Sequence, residues 1–206
     1  MFQTPIQLGP SDVLRERPFT HPSHTFADLY VLRYMAEQLH QTVNGLEVAV
    51  NDVGPAIIYK SEADTRPHRL VLIHPDMLAQ PSRLTVVGFF GQRREGVDLA
   101  QLNEMDNILL TELKQHPGLI SYSSLNLYNE NSSNLVLFAD EAAKERWGES
   151  QMHRRAVELS REHYHSIRIY NGFLPEGAQK SSALRITKVR YFDYNSDPFW
   201  LATRLV

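Results

Sequence analysis

His153, Ser160 and His163 recur with Ala156 at intervals of three, four and three residues, a spacing that puts them on one stripe of an α-helix. An imidazole near its ordinary pKa exchanges a proton close to neutrality, so His153 is the candidate general base. Tyr122 is the candidate catalytic partner, with a phenol able to orient a bound molecule or share its proton. Around them Phe89, Phe138 and Trp147 could line a cavity for a flat ligand, and Asn126, Ser160 and His163 could hold its polar groups. For each residue the plainer alternative is a packed, hydrogen-bonded side chain of the core or of a dimer interface. His163 and His165 would share a face if extended, as a metal pair must, but no third histidine stands near them in sequence. His116, before Pro117-Gly118, reads as a cation at a helix C-terminus. No serine-histidine-acid order, glycine-rich phosphate loop or HExxH is present, so neither a nucleotide-dependent enzyme nor a familiar hydrolase is expected.

Composition narrows the field. The chain has 206 residues, 42% hydrophobic and 22% charged, which is ordinary for a globular protein. A formal net charge of −3 leaves no footprint for nucleic acid or an anionic membrane. The absence of cysteine removes disulfides, thiolate metal sites and cysteine nucleophiles. The N-terminus lacks the basic-then-apolar pattern of a signal peptide, and no apolar run is long enough for a membrane helix, so the expected location is cytoplasmic.

The elements that must position these residues follow from periodicity. Residues 1–24 read as an arm. Residues 25–80 read as an extension, with an amphipathic helix from Phe26 to about Val43 that buries Phe26, Leu29, Ala36 and Leu39. A left-handed cap at Asn44-Gly45 should stop it, and three strands follow, Leu46–Val50, Ala56–Lys60 and Arg69–His74. The proline-flanked stretch 74–83 is the expected boundary of a domain over 81–195. There the order is a strand Leu84–Gln92, a helix from Asp98 burying Leu99, Leu102, Met105, Leu109 and Leu113, and an alternating strand Ile120–Tyr128. A strand Asn134–Ala139, a helical region from Asp140 to about Tyr164 broken near Trp147-Gly148, and strands His165–Tyr170 and Leu184–Tyr194 complete it. The apolar tail 196–206 should be docked.

Strand, helix, strand, strand, helix, strand is the order of a ferredoxin-like split βαβ unit, an α+β fold. Two helices cover one face of such a sheet, and the other face needs a cover. That cover is expected to be a second copy of the chain, giving a homodimeric α/β barrel.

With the order in place, the segment from Arg83 to about Pro175 resembles the antibiotic biosynthesis monooxygenase-like family of dimeric α/β barrels. The matching residues are the first strand LTVVGFF, the phrase HPGLISY (116–122) where helix gives way to strand, and NLVLFADEAA, where the third strand runs into the second helix. The resemblance implies a homodimer with a cavity between sheet and helices in each protomer. It also implies activities ranging from cofactor-independent oxygenation of aromatic compounds to haem degradation. The haem-degrading branch carries an Asn on the first strand, a Trp ending the third and a His on the second helix. Here the first strand has no Asn, Phe138 stands in place of Trp, and only His153 lies on the right helix, so haem is disfavoured and no cofactor is expected. The expected function is binding of a small aromatic or apolar molecule, with cofactor-independent monooxygenation as the reaction. The alternatives are a haem- or metal-binding barrel and a non-catalytic assembly or regulatory module.

Overall fold

A computed structural model describes residues 4–45, 55–98, 100–128 and 131–206. Its elements begin with β1 (Ile6–Leu8), α1 (Ser23–Asn44), β2 (Ala56–Ser61), β3 (Pro67–Leu72) and the short α2 (Pro75–Leu78). Then come β4 (Leu84–Arg93), α3 (Ala100–Leu113), β5 (Leu119–Asn126) and β6 (Ser132–Phe138). The last are α4 (Glu141–Glu149), α5 (Gln151–His163), β7 (Tyr164–Leu174), β8 (Arg185–Asp193) and β9 (Trp200–Leu205). The expected strand Leu46–Val50 and residue Leu99 lie outside the described residues.

All nine strands join one sheet in the order β1-β9-β8-β7-β4-β6-β5-β3-β2. The central four, β7-β4-β6-β5, pair antiparallel and are linked by α3 and by α4–α5, which is the ferredoxin-like arrangement. The hairpin β2–β3 extends it beyond β5, so residues 25–80 share the sheet and core of residues 81–195 instead of forming a separate flap. On the other side β8 and β9 follow β7, and β1 closes the sheet parallel to β9. The arm and the tail therefore meet as neighbouring strands.

The helical region breaks where Gly148 suggested. Asp140 caps α4 by accepting from the Ala143 amide at 2.7 Å, and Ser150 caps α5 by accepting from the His153 amide at 3.1 Å.

The two faces of the sheet are covered differently. α3, α4 and α5 lie over the outer face, where Leu110, Leu113, Ala143 and Trp147 pack on Val71, Ile73, Leu119 and Phe138. α1 covers the inner face, burying Leu32, Met35, Ala36, Leu39 and Val43 against Leu70, Leu84, Val86, Phe90, Leu135, Leu137 and Tyr170. The surface expected to demand a second subunit is thus occupied by the chain's own helix, and the sequence-based reason for a dimer through it falls away.

Three local expectations are corrected. Phe26 is 76% exposed, while Asp28, one step round the helix, is 6% exposed. The buried stripe of α1 runs through Thr25, Asp28, Leu32, Met35, Ala36, Leu39 and Val43, because Asp28 is claimed by Arg168. Gly45 ends α1 with φ −81°, a right-handed conformation, not a left-handed cap. A register shift between Leu119 and Ser121 turns Ile120 to the inner core while Tyr122 stays on the outer face, so the alternation read through Ile120 and Tyr122 fails at its first step.

Candidate functional site

The outer face is unevenly closed. On the inner side of β4, Leu84 and Val86 are 0% exposed and Phe90 is 2% exposed. On the outer side of the same strand Val87 and Phe89 are only half-buried, as are Tyr122 and Ser124 on β5, Asn134 and Val136 on β6, and Ile169 on β7. Along β6 these open positions lie between Ser132 and Phe138, both buried. A strip of the central sheet beneath the helices is therefore within reach of solvent.

Polar groups converge on this strip. Asp106 of α3 pairs with Arg69 of β3 at 2.6 Å and accepts from the Tyr122 hydroxyl at 3.3 Å. The Arg69 guanidinium lies 5.5 Å from the Tyr122 ring centroid. Burial first, and the neighbouring Asp106 carboxylate second, push the Tyr122 phenol far above its ordinary value, so at neutral pH it is a hydrogen-bond donor. Beyond it Phe89 meets Tyr164 edge-on with centroids 5.4 Å apart. Burial raises the pKa of the Tyr164 phenol against the pull of the nearby Arg93 charge, and Arg93 donates to Ser132 at 2.7 Å.

The other sequence candidates gather elsewhere. Phe138, His116, Trp147 and His153 form a chain of rings, with successive centroids 6.4, 5.7 and 5.5 Å apart. Both ring nitrogens of His116 are buried without a partner among the described residues, and burial followed by the Arg146 charge lowers its pKa. His116 is therefore a neutral ring in an aromatic stack, not the helix-end cation the sequence suggested. His153 is also lowered, mainly by burial, so it is neutral at neutral pH. The stripe Met152, His153, Ala156, Leu159, Ser160 and His163 does face the body of the protein. Ser160 and His163 are satisfied within their own helix, however, bonding the carbonyls of Ala156 at 2.9 Å and Leu159 at 2.8 Å. For Asn126 the structure gives only a main-chain role, its carbonyl accepting from Arg66 at 3.0 Å.

Tyr122 and Phe89 thus share one cluster, and His153, Trp147 and Phe138 another. Sequence reasoning missed Asp106, Arg69, Arg93 and Ser132. Asp106 carried the one available signal, a carboxylate directly after the apolar Met105 of the buried stripe.

A second polar chain lies under α1. Ser123 Oγ is 2.8 Å from His68 Nε2, His68 Nδ1 is 2.7 Å from Glu62 Oε1, and Tyr34 donates to the other oxygen of Glu62. With the carboxylate able only to accept, His68 carries its proton on Nδ1 and accepts from Ser123. The order of groups is that of a Ser-His-acid triad, drawn from β5, β3 and the turn that follows β2, and invisible to a linear motif. Ser123 and His68 are both 0% exposed, so the chain ties the β2–β3 hairpin to β5 and offers no nucleophile to solvent.

Among the described residues no group of three or more His, Asp or Glu side chains could hold a metal ion, and no helix is long and apolar enough to cross a membrane.

No protein-family model matches the chain, and no curated protein matches it significantly. Some crystal structures are similar. A protein of unknown function from Nitrosomonas europaea is 16% identical over 46% of this chain and 91% of its own, with a TM-score of 0.41. SnoaB, a cofactor-independent oxygenase from Streptomyces nogalater, is 14% identical over 45% of this chain and 91% of its own, with a TM-score of 0.35. A monooxygenase candidate from Lactobacillus acidophilus NCFM is 10% identical over 78% of this chain and 92% of its own, with a TM-score of 0.41. These scores lie below those of proteins that share a whole fold. They place oxygenases among the partial likenesses of this chain and assign it to no family.

Proposed function

We propose that the protein binds a small, flat, largely aromatic molecule between the outer face of its sheet and helices α3 and α5. The observation that carries this reading is the half-buried strip through Val87, Phe89, Tyr122, Asn134, Val136 and Ile169, at the centre of a nine-stranded sheet and beneath a helix layer. Apolar and aromatic walls with a few convergent polar groups are what such a ligand needs. Phe89 and Tyr164 supply rings, and the Arg69–Asp106–Tyr122 group supplies donors and an acceptor at one end.

The reaction proposed for the site is oxygenation of an electron-rich phenol without a cofactor. A base removes the phenolic proton, the ring passes electrons to dioxygen, one oxygen atom enters the product and the other leaves as water with two substrate hydrogens. His153, kept neutral by burial on the inward stripe of α5, is suited to the role of base. Tyr122, held protonated, is suited to orienting the substrate.

The test is a panel of hydroxylated naphthalenes and anthracenes titrated against tryptophan fluorescence, with oxygen uptake followed in parallel. Phe89→Trp fills the strip and is expected to weaken binding by about tenfold or more while the circular dichroism stays unchanged, as removal of a hydrophobic contact surface predicts. Binding that ignores Phe89→Trp sinks the proposal. Binding without oxygen uptake sinks the catalytic reading alone.

A further inference from the structure

The starting sheet face also carries an open groove of about 520 Å³, at the end of β4 and β7 farthest from Tyr164 and bounded by the first turn of α4. Arg83, Phe173, Asn171, Thr85 and Lys188 line it, together with Asp140, Glu141 and Lys144. None of these residues enters the site described above.

The groove owes its shape to a fault in the sheet. Asn171 pairs with Lys188 and Gly172 pairs with Ile186, so Thr187 is an extra residue on β8. Two consecutive side chains, Thr187 and Lys188, then face the groove where regular alternation would send one to the far side. Only glycine fits at 172, because a Cβ there would lie 2.0 Å from the Arg185 carbonyl oxygen. Bulges of this kind re-aim side chains and are frequent beside binding sites.

The charges of the groove are unequally engaged. Asp140 is the cap of α4, accepting from Ala143 at 2.7 Å, and Glu141 is paired with Lys144. Arg83 and Lys188 have no carboxylate within 4.0 Å among the described residues. The Arg83 guanidinium sits over Phe173, its carbon 4.0 Å from the ring centroid. A guanidinium held over a ring face still has N–H donors with which to form a bidentate bond to a carboxylate. Both acids of the groove, and Lys144 with them, are engaged by the protein itself, whereas Arg83 and Lys188 are in no ion pair among the described residues.

We propose that this groove is a carboxylate-binding site, taking a small planar acid whose carboxylate meets the Arg83 fork and Lys188 and whose apolar part lies along Phe173. A phosphate would be drawn by the same two charges and can also meet the fork, but inorganic phosphate has no apolar part to lie along Phe173. The site stands independently of the strip beneath α3 and α5.

The experiment is a ¹H–¹⁵N titration of the whole protein with benzoate, benzamide and inorganic phosphate. Benzoate is expected to shift amides of residues 83–85, 139–144, 171–173 and 187–188 with a dissociation constant of about 1 mM, in the range of a fragment-sized ligand. Arg83→Gln should weaken it about tenfold, as loss of a charge-assisted bidentate bond predicts, and Lys188→Met should weaken it less. Benzamide, which has the ring without the charge, should leave the groove unshifted. Phe89→Trp should leave the benzoate shifts as they are, which separates this site from the aromatic strip. Phosphate shifting the same amides as strongly as benzoate overturns the carboxylate assignment. Absence of benzoate shifts, or shifts that survive Arg83→Gln, overturns the site.

Discussion

Leu32 of α1 and Gly88 of β4 touch so closely that a Cβ on residue 88 would lie 2.7 Å from Leu32 Cδ1. The helix comes down on the centre of the sheet at a point of β4 that has no side chain. Gly88→Ala is expected to destabilise the protein by about 1–3 kcal/mol through overpacking, and Leu32→Val should relieve part of that loss. Urea unfolding of the two single variants and the double variant measures the coupling. Additive losses would mean that the helix does not seat there.

Asp28 is the second anchor of the same helix. It accepts from Arg168 at 2.6 and 3.1 Å and from Tyr170 at 2.6 Å, in surroundings that leave Asp28 and Arg168 6% and 7% exposed. Asp28→Ala strands a buried guanidinium and should cost about 3–5 kcal/mol. Replacing both charges, Asp28→Leu with Arg168→Met, should recover most of it. A double variant no better than the single one would show that the pair contributes more than its charges.

Stability should fall with acid. Burial lowers the pKa of His68 in the fold, against the weaker opposing pull of Glu62, so between that lowered value and about 6.5 the unfolded chain holds a proton the fold does not. Unfolding free energy is therefore full above about pH 6.5 and declines as the pH drops below it. His24, His116 and His153 are lowered as well and add to the slope. Denaturant titrations from pH 7.5 to 5 should show the decline, and His68→Gln should make it shallower. An unchanged slope in that variant would place the proton uptake elsewhere.

Arg204, 2% exposed, donates to the carbonyls of Gly9, Asp12 and Thr20 and to the Tyr191 hydroxyl. Arg204→Met leaves three carbonyls of the arm without that donor. The expected result is faster limited proteolysis between residues 9 and 20, with the central sheet still resistant. Equal cleavage rates would show that β1 alone holds the arm.

The sequence was most legible where a single segment carries its own pattern. The apolar run of β4, the stripe of α1 through Leu32, Ala36 and Leu39, the break before Ser150 and the ferredoxin-like order all follow from local spacing. What escaped it depends on distant partners. Phe26 was expected in the core and Asp28 was not, because the guanidinium that reverses them is 140 positions away. Asp106 was not singled out, because Arg69 and Tyr122 reach it from two strands distant in sequence. Ser123, His68 and Glu62 sit in an order no linear motif encodes. The bulge at Thr187 leaves no trace in composition, yet it shapes the groove beside Arg83.

The pairing of β1 with β9 sets a schedule for synthesis. A ribosome makes α1 early and the strands that wrap it over the rest of translation, so its apolar stripe emerges well before the surfaces that will shelter it. Closure of the β1–β9 ladder must wait until residues 200–205 leave the exit tunnel. Such a chain is most vulnerable to aggregation while it is still being made, and a holdase that shields the nascent helix should raise its yield more than one that acts after release.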